Sequence, residues 1–82
     1  MQIDLFEKFD LNSKACITWR YGIHIGYRSK NRNYMCLYRL GDFYVEIEYD
    51  TSFDGITSIN TFISEDQLQP YLEHVDINSL FE

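Results

Sequence analysis

The sequence predicts an α+β domain, a four-stranded antiparallel β-meander with a C-terminal helix and N-terminal helical segments packed on one face. Three observations carry that prediction. The stretch YMCLYRLGDFYVEIEY, residues 34–49, has a second arm that alternates strictly, with Phe43, Val45, Ile47 and Tyr49 on one side and Tyr44, Glu46 and Glu48 on the other. Gly41-Asp42 lies at its centre, and glycine supplies the positive φ that primed two-residue turns need. Towards the C-terminus, Leu68, Tyr71, Leu72 and Val75 recur at helical spacing.

Closing the chain at Gly41-Asp42 fixes a register. Leu40 then faces Phe43, Tyr38 faces Val45, Cys36 faces Ile47 and Tyr34 faces Tyr49, so all these side chains fall on one face. Upstream, Ile3, Phe6 and Phe9 are spaced for a short helix over residues 3–9, with Asp4 near its cap and Asn12-Ser13 breaking the pattern. Residues 14–22, KACITWRYG, fit two readings. Ala15, Ile17, Trp19 and Tyr21 alternate as in a strand, but that strand would have to run on to about 14 residues, longer than strands usually are. Length therefore favours a helix capped by Ser13 and ending at Gly22.

Ile23, Ile25 and Tyr27 alternate as a first strand, joined to the hairpin by the loop RSKNRN, residues 28–33. Pairing Tyr27 with Tyr34 brings Ile25 to Cys36 and Ile23 to Tyr38. After Tyr49, an Asp54-Gly55 turn would place Phe62 opposite Ile47 in a fourth strand, whose Ser58 and Asn60 suit an edge. Ser64 and Gln67 form a capping-box pattern ahead of the last helix, and Pro70 inside the stripe predicts a bend or a loose first turn. Ile77, Leu80 and Phe81 supply a final anchor.

At 82 residues the chain is expected to be a single domain that needs a dense core, and seven Tyr, six Phe and Trp19 supply one. No apolar run approaches the length of a membrane span, and MQIDLFEKFD has neither a basic leader nor an apolar signal core, so a soluble, cytoplasmic protein is expected. Cys16 and Cys36 are too few for a disulfide scaffold and too far apart for a zinc site, and read as small buried apolar groups. The formal charge of −6 is unevenly spread: six of the seven basic residues lie between Lys14 and Arg39 with no acid among them, and Asp42 to Glu82 holds ten acids and no base. If the two halves are neighbours in space they neutralise each other, Arg39 lying diagonally from Glu46.

Few motifs carry chemistry. DTSFDG, residues 50–55, puts Asp50, Ser52, Asp54 and Gly55 where a calcium loop begins, but its twelfth position is Thr61 rather than glutamate, and a hairpin turn accounts for the same residues. His24 and His74 have no partner at ligand spacing. Glu46 and Glu48 point the same way, as an acid/base pair would, with no nucleophile or phosphate loop beside them. Hence no catalytic, cofactor or metal set is expected. Arg28, Lys30 and Arg32 could contact an anion, with Arg20, Tyr27 and Tyr34 close enough to stack on bases, yet a sequence pI near 4.7 weighs against nucleic acid.

The segment DFYVEIEYD, followed by Ile59, Phe62 and LQPYLEHVDINSL, resembles a set of short uncharacterised bacterial proteins sharing an LYxLxDFYVE core and an LxPYLxxIDI tail, over roughly residues 22–80. The resemblance implies a bacterial, cytoplasmic, single-domain protein whose tail belongs to the fold, and it brings no activity or site residue with it. On the residues alone, the expected function is a non-enzymatic protein-protein binding module whose acidic outer face, Tyr44, Glu46 and Glu48, docks a protein partner. An inhibitor or immunity-type protein is a specific version of this. A homodimer through the fourth strand is a further expectation, and the alternative function is a small ligand-binding domain or enzyme using the outer-face carboxylates.

Overall fold

Gly41 takes φ 66°, the left-handed value that a primed turn demands, and the chain reverses there. The computed structural model describes residues 1–50 and 55–71. Within them, four strands form one antiparallel sheet in the order β1-β2-β3-β4: β1 Ile23–Lys30, β2 Asn33–Leu40, β3 Phe43–Asp50 and β4 Gly55–Phe62. The central register is the one the turn dictates, with Leu40 opposite Phe43, Tyr38 opposite Val45, Cys36 opposite Ile47 and Tyr34 opposite Tyr49. Val45 and Ile47 are fully buried, a burial that stabilises by about 1.5–3 kcal/mol per side chain.

The outer pairs depart from the expected registers because the chain closes at other points than expected, and a bulge in each pair then moves the residues beyond it by one further step. In β1 the irregularity lies between His24 and Gly26. Ile23 beyond it pairs with Arg39 rather than Tyr38 and Ile25 packs on the opposite face, against Leu37, whereas Tyr27, on the near side of the bulge, pairs with Cys36 rather than Tyr34 because of where the chain reverses. The expected six-residue loop is a two-residue turn, Asn31-Arg32, with Asn31 at φ 57°. On the other side, Gly55 pairs with Asp50 and the shift falls between Glu48 and Tyr49, so Phe62 lies opposite Tyr44 and not Ile47, while Ile59 takes the place beside Ile47. Asp54, and with it the expected Asp54-Gly55 turn, lies outside the described residues.

Two short helices precede the sheet, α1 Ile3–Phe6 and α2 Leu11–Tyr21. The cap of α2 is Asp10, whose carboxylate accepts the Ser13 N–H at 2.8 Å, so the helix begins ahead of the Ser13 cap expected. It ends where the sequence indicates, at Gly22. Gly22 is required there by space rather than by φ: a Cβ would lie 2.5 Å from the Thr18 carbonyl oxygen. Phe6 and Ile3 of α1 pack with Leu40, Phe43, Val45 and Ile47, the Phe6 and Phe43 rings 5.5 Å apart. The Glu7 carboxylate ties the elements together by accepting from the Thr61 hydroxyl of β4 and from Lys14 Nζ of α2 at 3.3 Å. The Thr61 hydrogen bond, with help from Lys14, holds that carboxyl below its usual range.

The C-terminal segment corrects the predicted architecture. Residues Glu65–Tyr71 form a 3-10 helix instead of the first turns of an α-helix. Pro70 has no N–H for an α-type bond to Asp66, while the Ser64 hydroxyl accepts the Asp66 N–H at 3.2 Å. Leu72, His74, Val75, Ile77, Leu80 and Phe81 lie outside the described residues. Leu68 and Tyr71 pack on Leu37, with Ile25, Tyr44 and Phe62 around them. That is the face opposite the one that α1 covers, so the helical elements do not share one side and this sheet is buried from both.

Candidate functional site

Tyr44, Glu46 and Glu48, the residues of the expected outer docking face, are half-buried and engaged within the chain. Tyr44 stacks on Phe62 at 5.3 Å between ring centroids. Glu48 accepts from the Asn33 side-chain amide and from the Ser58 hydroxyl at 2.9 Å. Glu46 accepts the Tyr71 hydroxyl at 2.5 Å and faces Arg28, whose Nη2 lies 3.7 Å from the same oxygen. Burial pushes the Tyr71 phenol well above its ordinary range, and the hydrogen bond to Glu46 adds to that. The opposite-charge halves of the sequence do meet, through Arg28 and Glu46. Arg39 turns instead to the Gly41 carbonyl, to which its Nε donates at 3.2 Å.

Of the three residues expected to contact an anion, Arg28 is thus drawn into this cluster, its guanidinium 5.4 Å over the Tyr71 ring and its buried Nε without an acceptor. Lys30 pairs with Asn33 at the end of β1, and Arg32 is exposed in the adjacent turn. Arg28 and Glu46 line a surface groove of about 550 Å³ with Asn60, Phe62, Asp66 and Gln67. Among the described residues no group of His, Cys, Asp and Glu is placed to hold a metal ion, and no helix is long and apolar enough to cross a membrane. Cys36 is buried, which raises its thiol pKa and leaves it a poor nucleophile.

The exposed chemistry lies on the other side of the sheet. Helix α2 packs over β2 and β4 and makes only slight contact with β1, so the helices leave the β1 margin of their own face uncovered. Tyr27 of β1, Tyr34 of β2 and Tyr49 of β3 form a row across it. The Tyr27 and Tyr34 rings are stacked at 5.4 Å, and Tyr34 and Tyr49 lie 6.5 Å apart. Trp19 of α2 completes the row, its indole N–H donating to the Tyr49 hydroxyl at 3.0 Å. His24 meets Tyr38 edge-on at 5.3 Å beside it. Trp19 and Tyr27 remain 51% and 49% exposed although both are held by contacts that fix their rings.

Burial raises the phenol pKa of Tyr34, Tyr38 and Tyr49, that of Tyr38 to about 12, so these three phenols are uncharged at neutral pH. No protein-family model, curated protein or solved structure matches this chain. The shelf therefore stands on its geometry. Its tyrosines beside RSKNRN were visible in the sequence as candidate stacking residues. Trp19 and Tyr49 were not, because they are 30 residues apart in sequence and only the fold makes them neighbours.

Proposed function

We propose that the protein is a non-enzymatic protein-binding domain and that it receives its partner on the shelf formed by Trp19, Tyr27, Tyr34 and Tyr49. The observation that supports this is the pairing of exposure with fixed geometry: two large aromatic side chains stand half in water, yet stacking and a hydrogen bond already hold them in place. Tyr and Trp are the residues that dominate interface energetics, and a preset ring loses little entropy on docking. Tyr44, Glu46 and Glu48, expected to form the docking face, carry less of this reading because their polar and ring groups already have partners within the chain. An inhibitor or immunity-type role is one form such a domain takes.

A photo-crosslinking residue in place of Tyr27 tests the proposal in the native cell. Adducts with another protein are expected from position 27 and not from a control position such as Glu65, exposed on the far face. Equal adducts from both positions, or none from Tyr27, would remove the shelf as the docking face. The buried Arg28 Nε beside an open groove favours a second reading, a small polar ligand held among Arg28, Glu46, Asn60 and Gln67. Resonance shifts confined to those residues on adding cell metabolites would support it, and their absence would dismiss it.

A further inference from the structure

We infer that the partner segment received by this shelf is acidic, an extended stretch of protein in which carboxylates flank one or two apolar side chains; the inference rests on the shelf being a protein-binding face. Charge complementarity carries it. Residues 11–41 contain no acid, and they supply α2, β1 and β2, which hold three of the four shelf aromatics, Tyr49 coming from β3. The acids of β3 do not reverse this, because Glu46, Glu48 and Asp50 alternate onto the opposite face from Tyr49, where Arg28, Tyr71, Asn33 and Ser58 engage the two glutamates. Basic residues neighbour two of the shelf aromatics along the chain. Arg20 follows Trp19 on α2, exposed, with its guanidinium 5.7 Å over the Tyr21 ring, and Arg32 is exposed in the turn that leads into Tyr34.

A single-stranded nucleic acid would also suit aromatic rings neighboured by arginines, and magnitude decides against it. Affinity for a single strand rests on the number of phosphates neutralised, with log K changing by about 0.7 per log unit of salt for each contact, so two such arginines give a shallow, weak footprint. The chain's charge of −6 would repel the remainder of a polyanion. A protein segment needs only one or two carboxylates at the rim, because its apolar side chains on the rings supply most of the affinity.

The test uses two capped hexapeptides, EELFEE and KKLFKK, and a short oligothymidylate, each titrated into the isotopically labelled full chain. The expected result is that EELFEE shifts the Trp19 indole and the amides of Tyr27, Tyr34 and Tyr49, that KKLFKK does not, and that Arg20→Glu with Arg32→Glu weakens EELFEE about tenfold while leaving the spectrum folded. Binding of KKLFKK as tight as that of EELFEE would overturn the acidic preference but leave the shelf a peptide-binding face. Oligothymidylate saturating the same resonances at lower concentration than EELFEE would overturn it in favour of nucleic acid. No shelf shift with either peptide would also overturn it, with crosslinking from Tyr27 remaining the separate measure of whether the shelf binds protein at all.

Discussion

Replacing Tyr71 by phenylalanine should destabilise the fold by about 1.5–2.5 kcal/mol, the range for a hydrogen bond to a charged group whose partner stays behind. Tyr71 is almost wholly buried, and its ring packs on Leu37 and Leu68 and under the Arg28 guanidinium, none of which the substitution removes. What disappears is one donor, 2.5 Å from Glu46 Oε2. Among the described residues the carboxylate then keeps only Arg28 at 3.7 Å, beyond hydrogen-bond reach, in a half-buried position where desolvation is costly. Urea unfolding followed by circular dichroism should show a lower midpoint at unchanged slope, since the area exposed on unfolding is the same. In a double-mutant cycle with Glu46→Leu the two losses should fail to add by at least about 1 kcal/mol. A loss below about 0.5 kcal/mol, or strict additivity, would show that apolar packing alone holds the 3-10 helix to the sheet.

Other outcomes follow from the same structure. Gly41→Ala keeps its space, the nearest atom to the new Cβ being the Met1 carbonyl oxygen at 3.7 Å, so it should cost only the left-handed strain of about 1–2 kcal/mol in thermal or chemical unfolding. Gly22→Ala should cost more than Gly41→Ala despite an ordinary φ, because its Cβ collides with the Thr18 backbone; equal costs would contradict the close approach of Gly22 to the last turn of α2. Ile47→Ala, at a fully buried central position, should cost about 2–5 kcal/mol in the same assay. Tyr34, Tyr38, Tyr49 and Tyr71 all have folded pKa values raised above the unfolded value, so their contribution to stability is complete below about pH 10 and is lost as pH climbs through the folded values. Stability measured by urea titration should therefore fall as pH rises beyond about 10, and Tyr71→Phe should soften that fall.

The centre of the sheet was legible because one glycine and one strictly alternating strand agree: Gly41 fixes where the chain turns, and the pattern from Phe43 to Tyr49 admits a single register. The outer strands were less legible. A bulge leaves little mark in residue type, and one extra residue, Ile25 in β1 or Thr57 in β4, reassigns Ile23 and Phe62 to partners that alternation alone does not suggest. The second buried face did leave a signal. Met35 and Leu37 sit on the side of β2 that alternation assigns to solvent, and the run Met35-Cys-Leu-Tyr38 is continuous in the way of a strand covered on both sides. Following that signal would have sent Leu68 and Tyr71 to the correct face and drawn Glu46 into the interior with them. The shelf could be read only in part, since Trp19 and Tyr49 meet through tertiary packing.

Trp19 is the only indole in the chain, and it lies in direct contact with a phenol while remaining half in water. Its emission is therefore a built-in optical gauge with two settings. Breaking the bond to Tyr49 on denaturation and drying the indole beneath a bound segment move the band in opposite directions, so one unlabelled sample can distinguish loss of structure from occupancy.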